Sequence, residues 1–194
     1  MSSSDYPLQR CQWCSADPVY QAYHDTEWGV PEYDAQRLFE KLLLDGFQAG
    51  LSWITILKKR DRYREVYRGF DPQFMANLTD NDLLDLLEDT GIIRNRLKVK
   101  GARQNAQAWL RLSEQTDPGE WLWQFVGGRP LINHFNGISQ IPTKTDEAEA
   151  MSKALKKAGF TFVGPTICYA FMQATGMVMD HTTDCFRYPC LSTG

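Results

Sequence analysis

The chain has 194 residues, enough for one large domain or two small, closely packed ones with a sizeable core. Its 43% hydrophobic and 23% charged residues exclude a disordered or fibrous protein. The net charge of −3 neither announces nor excludes a polyanionic partner, so local charge asymmetry carries more information.

The opening "MSSSDYPLQR" lacks the apolar stretch of a secretory signal. A cytoplasmic location is therefore expected, with residues 1–10 as a flexible segment and 11–194 as a single compact unit. In "YDAQRLFEKLLLDG" Asp34 can cap a helix on which Leu38, Phe39, Leu42 and Leu43 recur at helical spacing, with Gly46 as its stop. Short helices follow at "SWITILKK" and around "DRYREVYRGF". "TDNDLLDLLEDTG" begins on Thr79 three residues before Asp82, like a capping box, and ends on Gly91; Leu83, Leu84, Leu86 and Leu87 form its apolar face. In "NRLKVKGARQNAQAWLRL" Val99, Ala102, Ala106, Trp109 and Leu110 lie on one stripe of a longer helix. Further helices are expected at "EWLWQFV", at "DEAEAMSKALKKAG" between the Thr145 cap and Gly159, and at "PTICYAFMQATG" with Pro165 in its first turn. Alternating strand patterns are almost absent, so the predicted fold class is all-α. The uncharged run from Phe160 to Met179 is long enough to raise a membrane question, but Gly164, Pro165, Gln173 and Gly176 mark an interrupted, buried helix and no membrane partner.

Cysteines stand at 11, 14, 168, 185 and 190, an odd number that argues for metal binding or core thiols over a disulfide framework. In "DHTTDC" His181 and Cys185 are four residues apart and can face one ion. Cys11 and His24 offer a second pair near the N-terminus. Together they make a Cys2His2 set suited to a tetrahedral zinc that would fasten the two ends of the chain. Spacing leaves Cys14 and Cys190 open as rival ligands, and buried thiols with a hydrogen-bonded histidine as the structural alternative. His134, in "INHFNG", reads as an ordinary loop residue.

A second constellation is aromatic: Trp13, Tyr20, Tyr23, Trp28 and Trp53, with Asp45 upstream of Trp53. Ring faces plus one carboxylate are what a pocket needs to sandwich a flat, electron-poor or cationic ring. Each residue alone is more readily a core or solvated one; convergence is what would make a site. Third, "TGIIRNRLKVKG" joins two helical segments within residues 79–114 through a short turn that can aim backbone N–H groups at a phosphate. Arg94, Arg96, Lys98, Lys100 and Arg103 follow with no intervening acid, and "KKRDRYREVYR" is a second basic stretch.

"DPVYQAYHDTEWGVP", "QAGLSWITILKKR", "GIIRNR", "SKALKKAGFTFVGPTICYAFMQATG" and "DHTTDC" resemble the type I 3-methyladenine DNA glycosylases, bacterial repair enzymes of the helix-hairpin-helix superfamily. The similarity runs from about Cys11 to Cys185. It implies a monomeric α-helical enzyme with one structural zinc per chain on Cys11, His24, His181 and Cys185. The base pocket falls on Trp13, Tyr20, Trp28 and Trp53, with Tyr23 and Asp45 as the groups that hydrogen-bond the extruded base. Gly50 and Leu51 form a wedge into the DNA stack, and Gly91, Arg94, Arg96 and Lys98 lie at the DNA backbone. The implied reaction is hydrolysis of the N-glycosidic bond of 3-methyladenine in alkylated duplex DNA, releasing the free base without strand cleavage. The rival is a non-catalytic, zinc-stabilised helix-hairpin-helix DNA-binding protein.

Two residues depart from the family pattern. The pocket carboxylate is usually glutamate, and Asp45 is shorter by one methylene, about 1.5 Å. Phe47 stands where a polar residue is expected. Glu114 and Asp117 are the nearest candidates for the water-activating aspartate that other superfamily members carry beyond the hairpin, and neither has the right spacing.

Overall fold

Among residues 8–191, which the computed structural model describes, eleven α-helices account for most of the chain. Helix α1 (Pro18–Thr26) begins on an Asp-Pro pair: the Asp17 side chain accepts from the Val19 N–H, and Pro18 supplies a preset φ where no N–H is needed. Helix α2 (Ala35–Gln48) is capped by Asp34, as expected. Next come α3 (Trp53–Leu57), α4 (Arg60–Val66) and α5 (Pro72–Ala76), the last reusing the Asp-Pro device at Asp71. Helix α6 (Asp80–Glu88) carries the full Thr79–Asp82 capping box, and α7 (Arg96–Ser113) is capped by Asn95. Asp117 caps α8 (Pro118–Trp123); α9 (Asp146–Lys157), α10 (Pro165–Ala174) and α11 (Tyr188–Leu191) complete the set.

Helix α2 runs through the centre with Leu38, Phe39, Leu42, Leu43 and Leu44 all buried, packed by α3, α7, α8 and α10. Gly46 does not stop it. A Cβ at Gly46 would lie 3.3 Å from the Phe162 Cβ, and one at Gly101 on α7 would lie 2.9 Å from the Phe162 ring. Both glycines are therefore clearances for the turn at Phe162, and the helix continues to Gln48. Phe47 is buried and stacks on Tyr63 at 4.6 Å between ring centroids, so this side chain belongs to the core.

The all-α expectation needs one amendment. Strands β1 (Leu131–Ile132) and β2 (Val178–Met179) pair in parallel, Leu131 opposite Val178. The segment after α10 is buried, and its backbone groups need partners that no helix supplies: the Met177 and Met179 carbonyls accept from the Leu131 and Asn133 N–H groups at 2.9 and 3.2 Å. This small pairing delivers Asp180 and His181 to the interior.

Gln9 and Arg10, at the end of the segment 1–10 expected to be flexible, are both tied to the body of the protein. The Gln9 carbonyl accepts from the Phe186 N–H at 2.9 Å, and Arg10 forms a forked pair with Asp25 at 2.7 and 2.8 Å. Residues 1–7 lie outside the described residues. Among the described residues no helix is long and apolar enough to cross a membrane.

Candidate active site and metal centre

Cys11, His24, His181 and Cys185 are all buried, and their donor atoms lie within 4.8 Å of one another. Cys11 comes from a tight turn, His24 from the last turn of α1, His181 from just beyond β2, and Cys185 from the turn that follows. The His181 Nδ1 lies 3.3 Å from the Cys11 Sγ and 3.4 Å from the Cys185 Sγ, and the His24 Nε2 lies 3.5 Å from the Cys185 Sγ. These are edge lengths of a tetrahedron whose centre is about 2.0–2.3 Å from each donor, the bond lengths of zinc to nitrogen and sulfur. Each imidazole has its other nitrogen committed: the His24 Nδ1 pairs with the Asp25 carboxylate at 2.8 Å, and the His181 Nε2 meets the Trp28 carbonyl at 3.0 Å. A hydrogen bond from Cys11, reinforced by His181 and His24, holds the Cys185 thiol well below its usual range, and the same bond pushes Cys11 up. The donor set fits a tetrahedral metal ion. The rival ligands are elsewhere: the Cys14 thiol faces the Ser15 and Tyr20 carbonyls, and Cys190 is exposed. Cys168 is buried on α10 with its thiol toward the Val163 carbonyl.

Against this cluster lies a cavity of about 310 Å³ walled by Trp13, Tyr20, Tyr23, Trp28, Trp53 and Asp45. Trp13 stands edge-on to Trp28 at 4.9 Å and tilts over Tyr20 at 5.2 Å, while Tyr23 and Trp53 face each other at 5.3 Å. The Cys2His2 cluster buttresses this wall: the Trp28 ring is 4.6 Å from His181 and the Trp13 ring 5.1 Å from His24. Asp45, near the end of α2, is 2% exposed; its Oδ1 accepts from the Lys41 Nζ at 2.7 Å and its Oδ2 has no partner. The indole N–H groups of Trp13 and Trp53 are likewise unpartnered. Polar atoms of this kind, on residues lining a hollow, are what a ligand would satisfy. Burial raises the Asp45 carboxyl against the opposing pull of Lys41, and burial followed by Asp45 keeps the Tyr23 phenol protonated as a donor.

At the rim, Gly50 adopts φ +78° with open space around it, and Leu51 is 40% exposed at the turn between α2 and α3. The α6–α7 turn is braced from within: the Gly91 N–H donates to the Asp89 carboxylate at 2.7 Å, and the Ile93 N–H to the Tyr63 hydroxyl at 3.1 Å. Arg94 and Arg96 project from it, exposed. Lys98 departs from the expected position at the DNA backbone. It is 6% exposed, and its ammonium donates to the Phe47 and Ala49 carbonyls at 2.6 and 2.8 Å. Four residues after the Arg94 side of the turn, it has rotated onto the inner face of α7 and caps the carboxyl end of α2.

The methyladenine glycosylase family model matches residues 13–188. The chain belongs to the methyladenine glycosylase family. It is 50% identical over 183 residues to DNA-3-methyladenine glycosylase 1 of Escherichia coli (strain K12), covering 94% of this chain and 98% of that one. A crystal structure of 3-methyladenine DNA glycosylase I superposes with a TM-score of 0.92 at 52% identity, covering 93% of this chain and all of the other. A Staphylococcus aureus 3-methyladenine DNA glycosylase I, solved for its recognition of 3-methyladenine, superposes with a TM-score of 0.90 at 36% identity over 94% and 97% of the two chains.

As a methyladenine glycosylase, the chain brings all five rings of the predicted aromatic constellation, Trp13, Tyr20, Tyr23, Trp28 and Trp53, into one cavity together with Asp45. Glu114 and Asp117 are not among the lining residues, and Asp117 is spent on capping α8. Sequence reasoning missed Lys41, Gln48, Tyr169 and Gln173, which also line it. Lys41 had a usable signal: four residues before Asp45 on one helix, it must share that residue's face. Tyr169 and Gln173 had none, because both read as ordinary positions on a core helix.

Proposed function

We propose that this methyladenine glycosylase excises 3-methyladenine from alkylated double-stranded DNA, as a monofunctional monomer acting on the chromosome in the cytoplasm. Adenine methylated at a ring nitrogen while still joined to the sugar is cationic, so the pocket must attract a flat, positively charged ring. Tyr20 and Trp53 stack on that ring, and Tyr23 and Asp45 hydrogen-bond its edge. On heterolysis of the glycosidic bond the electron pair passes to the departing base, which leaves neutral; water adds to the sugar carbon and its proton goes to solvent. Little acid catalysis is needed, consistent with a pocket whose lining holds one carboxylate and no histidine.

Extruding the nucleotide leaves a gap in the duplex. Leu51, held out by the Gly50 turn next to Trp53, is the apolar group that fills it. The α6–α7 turn is read as the helix-hairpin-helix element, with Arg94 and Arg96 on phosphates. The buried Cys2His2 cluster is assigned to one structural zinc. Its chemistry when bound is ligation, because four protein donors leave no open position for water.

The observation that carries the reading is the convergence of six aromatic side chains and one buried, half-satisfied carboxylate on a cavity large enough to take a single base. A formed cavity of this kind disfavours the non-catalytic binding protein. Incubation with methylated duplex DNA, followed by chromatographic identification of the released base, tests it. Free 3-methyladenine is the expected product, and duplex binding without base release would sink the proposal.

A further inference from the structure

The pocket already holds a cation of its own. The Lys41 ammonium lies 3.5 Å from the centroid of the Trp53 ring and 5.6 Å from that of Tyr23, while donating to Asp45 at 2.7 Å. It therefore occupies the face of the stacking ring and one oxygen of the carboxylate, the same two groups that a positively charged base would use. A ring cannot stack on that face of Trp53 while the ammonium remains on it. The structure also provides somewhere for it to go. Lys41 also borders a second cleft of about 450 Å³, which Tyr23 lines as well and where Glu27 and Glu40 already hold Arg60 and Arg64.

We propose that Lys41 is a resident competitor for the base pocket, which an incoming base must displace and which returns to expel the product. This rests on the base-excision reading. Displacement by an uncharged base would strip Asp45 of its counter-charge in a site where it is 2% exposed, an unfavourable exchange. An alkylated base still joined to its sugar replaces one cation by another on the same carboxylate and the same ring. Bond cleavage removes the charge from the base, so the exchange reverses and Lys41 retakes its place. A single side chain thus makes the pocket poor at retaining ordinary bases and poor at retaining its own neutral product.

The test is the affinity of the DNA-free protein for free 3-methyladenine, measured by calorimetry in full-length wild type, Lys41→Met, Lys41→Gln and Lys41→Arg. Both uncharged variants should bind the free base at least tenfold more tightly than wild type and show correspondingly stronger inhibition of excision by added 3-methyladenine. Lys41→Arg should stay within about threefold of wild type, which separates loss of charge from loss of bulk. If wild type releases 3-methyladenine from methylated DNA while Met and Gln bind the free base no more tightly, the role of Lys41 is wrong and the activity stands. If wild type releases nothing, the base-excision reading fails first.

Discussion

Trp53 and Asp45 are the residues on which the proposed chemistry concentrates. Trp53 begins α3 immediately beyond the Leu51 turn and presents its ring to the cavity. Stacking of one base on an aromatic side chain is worth about 1–3 kcal/mol. Trp53→Ala should therefore lower excision about 5- to 150-fold while leaving duplex affinity nearly unchanged by gel shift; equal loss of both would make it a core residue. Asp45→Asn keeps the shape and removes the charge. Excision of the cationic lesion should fall at least tenfold, measured as single-turnover base release, and full activity would show the carboxylate charge to be dispensable. The shorter aspartate does not leave the pocket without a carboxylate, because Lys41 meets it at 2.7 Å and Oδ2 is still open. Phe47, the other departure from the family pattern, stacks on Tyr63 in the core, and the polar lining on that stretch of α2 comes from Gln48.

The carboxyl end of α2 is the element on which site and DNA surface depend together. Its terminal carbonyls would point into the core without partners; Lys98 supplies them from α7 and so anchors the turn that carries Gly50 and Leu51. Lys98→Met should lower stability by about 2 kcal/mol, read by denaturant titration, since hydrogen bonds from a charged donor disappear. It should leave the salt dependence of duplex binding as it is. Arg94→Ala with Arg96→Ala should do the opposite: stability unchanged, and the slope of log affinity against log salt reduced by about 0.9 for each phosphate no longer neutralised. A reduced salt slope in Lys98→Met would return that lysine to the DNA surface. The Asp-Pro starts of α1 and α5 act at the same scale, each combining a side-chain cap with a preset first turn, and the Asp-Pro pairs at 17–18 and 71–72 are visible in the sequence as such.

For the whole molecule, the decisive link is between the chain ends and the pocket. Cys11 and His24 meet His181 and Cys185, and the same imidazoles lie against the rings of Trp13 and Trp28. Cys185→Ala should abolish stoichiometric metal by elemental analysis, lower the melting temperature by on the order of 10 °C, and weaken base binding through the loosened wall. Unchanged metal content would reassign the ligand. Most helices were legible in the sequence, since caps at Asp34, Thr79 and Thr145 and the stripes of α2 and α7 act through neighbours within one or two turns. The residue types of the site were legible for the same reason that chemistry is local: thiols with imidazoles, and rings with one carboxylate. What the tertiary structure decided was direction. Gly46 as a clearance, Lys98 turned inward, the β1–β2 pairing and Lys41 lying over Trp53 all depend on how separate segments pack together. Side-chain periodicity says which face of a helix a residue occupies, and only packing says what that face meets.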